Sequence, residues 1–94
     1  MITAKNFEAF TAAAYLAGFD EAIERRWESN TVLEIHAHDF DAEAIVKQGE
    51  MWLTCDGMTQ HLTVGDTFAI TRQVSHSERY GSQGATYWVA RRNA

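Results

Sequence analysis

The sequence contains no proline, a single cysteine, few basic residues and no long apolar run. Because the lone Cys55 cannot form an intramolecular disulfide, either the apolar core or a bound group must hold the fold together. A reducing, cytoplasmic location is the expectation that follows. The longest apolar run, 12–17, is far below the roughly 20 residues that span a bilayer, so we expect no membrane or export segment.

Eight Lys and Arg stand against thirteen Asp and Glu, which gives a net charge of −5. A protein that binds phosphates or anionic lipid usually carries a net positive charge, so we expect neither nucleic acid nor a membrane as a partner. With 94 residues, 46% of them hydrophobic, the chain has the size and composition of one packed domain. We therefore predict a single domain over residues 1–94.

A helix is predicted over about residues 6–17, and strands follow it. Phe7, Phe10, Ala14 and Ala17 share one helical face, and Gly18 is a plausible stop signal. Since proline is absent, the later turns fall on Gly, Asn, Asp and Ser, among them the hairpin dipeptide Asp56–Gly57. The pattern predicts a small all-β barrel or sandwich over about residues 22–92, with strands at 23–27, 32–38, 44–46, 51–55, 58–64, 67–70 and 85–90.

His36 and His38 are the first candidates for chemistry. They stand two residues apart in a strand-like segment, so both imidazoles project from one face and could converge on one metal ion. The alternative is a pair of solvated histidines near a strand end. His76 follows the 67–70 strand, and an antiparallel return would bring it beside the pair, whereas His61 is predicted to lie on the surface.

This constellation resembles the two metal-binding motifs of the cupin family. In the first motif the family has a glycine, an HxH pair and a second glycine, and here Asn30, His36, His38 and Gly49 hold those places. In the second motif the family has Gly, Pro, Gly, His and Asn, and here those places are held by Gly65, Thr71, Gln73, His76 and Tyr80. The resemblance covers about half of the chain, from Asn30 to Tyr80.

The resemblance implies a small double-stranded β-helix barrel, jelly-roll-like, as a single cupin domain, similar also to the effector barrels of AraC-type regulators. It implies a metal held by His36, His38 and His76. The family's glutamate ligand falls on Ala42 in this register, so the fourth ligand is left open between Glu43, one residue late, Asp41, and water or substrate. Tyr80 is a candidate catalytic acid, base or hydrogen-bond donor near the ion.

Three imidazoles with an open position suit a divalent transition metal such as Zn, Fe, Ni, Mn or Cu. The expected function is that of a metal-binding single-domain cupin that acts on or binds a small polar molecule, in an oxygenase-like or isomerase-like way. The alternatives are a non-catalytic ligand-binding or sensing module and a structural dimer. The sequence leaves open whether the protein is an enzyme. We also predict a homodimer, because the helix and the aromatic-rich final strand carry more apolar surface than one barrel buries.

Overall fold

The computed structural model describes residues 4–93, which form one helix followed by six strands. The predicted β-rich class with an N-terminal helix is confirmed. No helix within residues 4–93 is long and apolar enough to cross a membrane. The elements are α1 (Phe7–Leu16), β1 (Glu21–Trp27), β2 (Val32–His36), β3 (Asp41–Cys55), β4 (Met58–Thr63), β5 (Thr67–Ile70) and β6 (His76–Arg92).

All strand pairs are antiparallel, and β6 is the hub of the sheet. It pairs with β1, β2 and β3, while β3 also pairs with β4 and β5. Side chains alternate across a strand, so one face of the sheet carries the inner apolar core. That core consists of Ala42, Ala44, Val46, Met51, Leu53, Leu62, Phe68, Ile70, Tyr80, Ala85, Tyr87 and Val89.

Helix α1 packs on the opposite face of the sheet against β1 and β6, and Ile45 of β3 joins the cluster formed there. Asn6 is the N-cap residue of α1, and the side-chain oxygen of Asn6 accepts a hydrogen bond of 2.8 Å from the Ala9 N–H. Phe10 and Ala14 are buried in an outer cluster with Trp88. Ala17 was predicted on the same apolar face, and this is wrong: it is the exposed C-cap residue, because the helix ends at Leu16 and Gly18 turns the chain with φ +93°.

The Gly, Asn, Asp and Ser signals also predict turns at Gln48–Gly49 and at 81–84, but both segments lie inside long strands. Residues 44–46 and 51–55 belong to one 15-residue strand, β3, and residues 85–90 belong to the 17-residue β6. Gly49 in β3 has φ +76°, and register shifts lie on both sides of it. Glycine tolerates this conformation, so the sequence signal that indicates a turn instead produces bulges in a continuous strand.

Candidate metal centre

The three histidines singled out in the sequence lie together in the structure. His36 is the last residue of β2, His38 follows two residues later, and His76 is the first residue of β6. His36 and His76 are direct partners in the β2–β6 register. One ring nitrogen from each histidine forms a set in which every atom lies within 4.8 Å of the others. The predicted antiparallel return thus brings the His36–His38 pair and His76 to one point.

An irregularity in β2 turns His36 toward the interior. Leu33 pairs with Glu78 and packs on the inner core, but the register shifts before His36 pairs with His76. Ile35, which would share the inner face with Leu33 in a regular strand, is 75% exposed instead. The extra residue therefore exchanges the two faces of the strand, and this places an imidazole where the alternation would place Ile35.

Backbone carbonyls orient two of the three rings. The Nδ1 atom of His36 lies 2.7 Å from the Glu34 carbonyl oxygen, and the Nδ1 atom of His76 lies 3.0 Å from that of Val74. A carbonyl oxygen only accepts hydrogen bonds, so Nδ1 carries the proton in each neutral ring, and Nε2 presents a lone pair. This tautomer is the one that a metal-binding histidine uses when Nε2 is the ligand atom.

Burial gives the histidine cluster two further properties. His76 is 2% exposed, and its Nε2 atom is buried without a hydrogen-bond partner among residues 4–93. Burial lowers the pKa of His38, and the neighbouring His76 and His36 lower it further. A lowered pKa favours the neutral, ligating form of the ring. An unpartnered buried nitrogen carries a free-energy cost that a bound cation would remove.

Glu78 is a carboxylate at this cluster that the sequence analysis missed. It is 6% exposed, and its Oε2 atom lies 3.4 Å from His36 Nε2 and 3.7 Å from His76 Nε2. Its other oxygen accepts a hydrogen bond of 2.5 Å from the Tyr80 hydroxyl. The signal was present in the sequence, because residues 76 and 78 of a strand share a face. The family motif places its glutamate ligand after the first histidine pair instead.

The structure does not bring the two predicted carboxylates to the histidines. Glu43 pairs with Ala90, a member of the outer cluster, so it lies on the face opposite Ala42 and Ala44. A one-residue offset in a regular strand has this consequence, and β3 has no bulge at that point. Asp41 accepts a hydrogen bond of 2.8 Å from the Arg72 N–H, and this bond holds the pKa of its carboxyl below the usual range.

Tyr80 lies in the inner core and reaches the cluster through Glu78. Its ring is 1% exposed and stacks on Trp27 with the ring centroids 5.3 Å apart. Burial raises the pKa of the Tyr80 hydroxyl well above its usual range, so the phenol stays protonated. The structure thus gives Tyr80 the part of a hydrogen-bond donor that orients the Glu78 carboxylate.

The arrangement of donor atoms fits a transition metal. Two imidazole lone pairs and a carboxylate oxygen, all acceptors, face one another at 3.4 and 3.7 Å with no donor between them. Two ligand atoms held about 2.1 Å from one tetrahedral ion lie about 3.4 Å apart. Nitrogen and carboxylate oxygen are ligands that these ions accept. The residues therefore match the group that the sequence motifs implied.

A cavity of about 290 Å³ lies beside the cluster. Its lining includes His36, His38 and Glu78 of the cluster, together with charged and apolar side chains from β1, β2 and β6. A molecule in this cavity would contact the histidine cluster directly. The lining residues are Arg25, Trp27, Leu33, Glu34, His36, His38, Glu78, Tyr87 and Arg91.

The fold is shared with solved cupin structures. KdgF from Halomonas sp. matches with a TM-score of 0.66 and 19% identity, over 76% of this chain and 66% of that one. An RmlC-like cupin from Shewanella frigidimarina NCIMB 400 matches with a TM-score of 0.66 and 24% identity, over 76% and 64%. The cupin domain of Schizosaccharomyces pombe Cnp3 matches with a TM-score of 0.71 and 12% identity, over 79% and 56%.

No protein-family model matches the chain, and no curated protein matches it. The chain spans about two thirds or less of the solved cupin structures named above. At these identities the likeness establishes the fold. The chain therefore has the cupin fold, as its histidine motifs predicted.

Proposed function

We propose that this cupin-fold chain binds one divalent transition metal through His36, His38 and His76, with Glu78 as the fourth ligand. The observation that carries the proposal is the convergence of three ring nitrogens within 4.8 Å, one of which, His76 Nε2, is buried without a partner. The metal would be one of Zn, Fe, Ni, Mn or Cu, all of which imidazole ligands suit.

We further propose that the centre acts on a small polar molecule in an oxygenase-like or isomerase-like way. A metal held here would supply Lewis acidity, polarising a carbonyl or activating a bound small molecule. The chain's own residues hold and orient the site: the carbonyls of Glu34 and Val74 fix two rings, and the Tyr80 hydroxyl fixes Glu78. The buried wall of β6 limits the access of water on one side.

A ligand-binding or sensing role is the second candidate, and the state of Tyr80 favours it. Its phenol is committed to Glu78, and its raised pKa removes it as a base near neutral pH. Chemistry would then depend on the metal and the bound molecule alone. The two candidates differ in one observable, which is whether a bound ligand leaves the protein chemically changed.

Elemental analysis of the untagged protein tests the metal proposal. We expect about one equivalent of a single transition metal in the wild type and none in a variant with His36, His38 and His76 changed to Ala. His61→Ala is the matched control, because His61 lies on the exposed strand β4, stacked on Trp52 and paired with Glu50 at 2.7 Å. The control should keep its metal.

Circular dichroism tests whether the triple variant is folded. If it is not, His38→Ala replaces it, because His38 lies outside the strands. A wild type that holds no metal even after reconstitution overturns the proposal, and so does a folded histidine variant that retains it.

We also propose that the chain forms a homodimer and works in a reducing, cytoplasmic compartment. Several large apolar side chains remain exposed, and Val32 and Ile35 form a pair of them on β2. Strand β2 pairs only with β6 among the described strands, so its other edge is available for pairing. Cys55 is a free, half-buried thiol, which is compatible with a reducing location.

A further inference from the structure

Two arginines face the interior of the barrel at its histidine end. Arg25 alternates with Ile23 and Trp27 of β1, both of which pack on the inner core. Arg91 alternates in the same way with Tyr87 and Val89 of β6. Positions on an inner strand face are ordinarily apolar, so two guanidinium groups there require an explanation.

Neither arginine has its charge well matched by the described protein. Arg25 makes no ion pair with any residue of 4–93, and its guanidinium lies 4.6 Å from the centre of the Trp27 ring. Among residues 4–93, Arg91 has a single ion pair, to Glu21 at 3.6 Å, which is longer than a hydrogen bond, and its guanidinium lies 4.5 Å from the centre of the Phe40 ring. Its Nε atom is buried without a hydrogen-bond partner among these residues. Two cationic groups thus carry unused hydrogen-bonding capacity.

Both arginines line the 290 Å³ cavity that also contacts His36 and His38. Glu78 on the same cavity is already engaged by Tyr80 and the histidines, and the other acidic group, Glu34, is exposed. Among the described residues the two guanidiniums have one ion pair between them, the long contact of Arg91 with Glu21, so most of their N–H donors remain for a ligand. A planar guanidinium recognises a carboxylate through two parallel hydrogen bonds.

We infer that the cavity binds a small organic monocarboxylate, with Arg25 and Arg91 holding the carboxylate. The apolar walls formed by Trp27, Leu33 and Tyr87 accommodate its carbon chain. A volume of about 290 Å³ lies near the lower limit for ligand pockets, so the acid has only a few carbons. That the far end of the acid points toward a metal rests on the proposed function, whereas recognition by the arginines does not.

Isothermal titration calorimetry with matched acids and amides tests this inference. The probes are butyrate against butyramide and 2-hydroxybutyrate against 2-hydroxybutyramide, which differ in charge but little in shape. We expect at least one acid to bind the wild type about tenfold or more tightly than its amide, because only the acid forms charged hydrogen bonds. Arg25→Gln and Arg91→Gln should each reduce the affinity for the acid about tenfold and leave that for the amide unchanged.

Arg26→Gln is the matched control, since Arg26 points out of the barrel, is 78% exposed and pairs with Glu24. It should bind like the wild type. We expect Arg25→Gln to fold, because this substitution breaks no ion pair within residues 4–93, and it keeps the test valid if Arg91→Gln does not fold. Equal binding of acid and amide, binding of neither, or a preference retained in both arginine variants would overturn the inference.

Metal content measured on the same samples separates this inference from the proposed function. If the wild type holds no metal but still prefers the acid, the metal proposal fails and the carboxylate site stands. If metal is present and the acid preference is missing, the carboxylate site fails and the metal proposal stands.

Discussion

At the scale of single residues, Glu78 has the clearest expected effect on metal binding. Glu78→Gln removes the negative charge at Oε2 but keeps an oxygen that can accept from Tyr80. We expect the metal affinity to fall by about tenfold to a hundredfold, as it does when a group around a metal site is lost. A competition titration against a chelator measures the change. Glu43→Gln, on the outer face, should leave the affinity unaltered, and an equal loss in both variants would count against Glu78 as a ligand.

Asp41 has a different expected effect, on stability and its dependence on pH. The Arg72 N–H lowers the pKa of its carboxyl, so the charged form stabilises the fold. That contribution is present above about pH 4 and is lost as the pH falls through the lowered pKa. Asp41→Asn should therefore lower the melting temperature at pH 7, and the difference from the wild type should shrink toward pH 3. Thermal melts across this range measure it, and a gap that widens in acid would contradict the assignment.

The sequence was sufficient to predict the three histidines but not the carboxylate beside them. The strand period predicts that His36 and His38 share one face, and the resemblance to the second cupin motif adds His76, 40 positions after His36. The position of Glu43 depends on whether β3 contains a bulge before it, and no residue type specifies that. Asp41 is held by Arg72, 31 positions away, and a contact of this range has no signal in the local sequence.

At the scale of elements, Gly49 allows strand β3 to continue through the register shifts that flank it. A Cβ at Gly49 would lie 2.1 Å from the Gly84 carbonyl oxygen, and φ is +76°. Gly57 has nearly the same φ, +75°, with nothing within 4 Å of such an atom. We expect each Gly→Ala change to lower the free energy of unfolding by about 1–2 kcal/mol, because the left-handed backbone disfavours alanine. Gly49→Ala should lower it by about 1–3 kcal/mol more, because of the clash. Urea unfolding of the two variants measures the difference, and equal losses would refute it.

The same element shows why strand number was predicted less well than strand position. Glycine at a positive φ is compatible both with a turn and with a bulge, and the sequence at Gln48–Gly49 does not distinguish them. The outcome depends on whether a partner strand continues past the glycine. Strand β6 does continue there, pairing with β3 at Ala85 and again at Tyr80.

At the scale of the whole molecule, the exposed apolar side chains lead to a prediction of oligomeric state. Burial of Val32 and Ile35 against a second copy would remove apolar area from water and give the free edge of β2 a partner. Light scattering at micromolar concentration should therefore give twice the monomer mass of 10.6 kDa. Ile35→Asp should return the mass to that of a monomer with the histidine cluster intact. A wild-type mass near 10.6 kDa would refute the dimer.

The pairing of β6 also determines the order in which the barrel can assemble. Strands β1, β2 and β3 each find their partner in β6, so none of them completes its native hydrogen bonds until β6 has been synthesised and aligned. Most of these pairings join residues far apart in sequence, and such topologies fold slowly. During synthesis the earlier strands therefore have unpaired edges for an extended time, and this is the interval in which we expect chaperones to bind the chain.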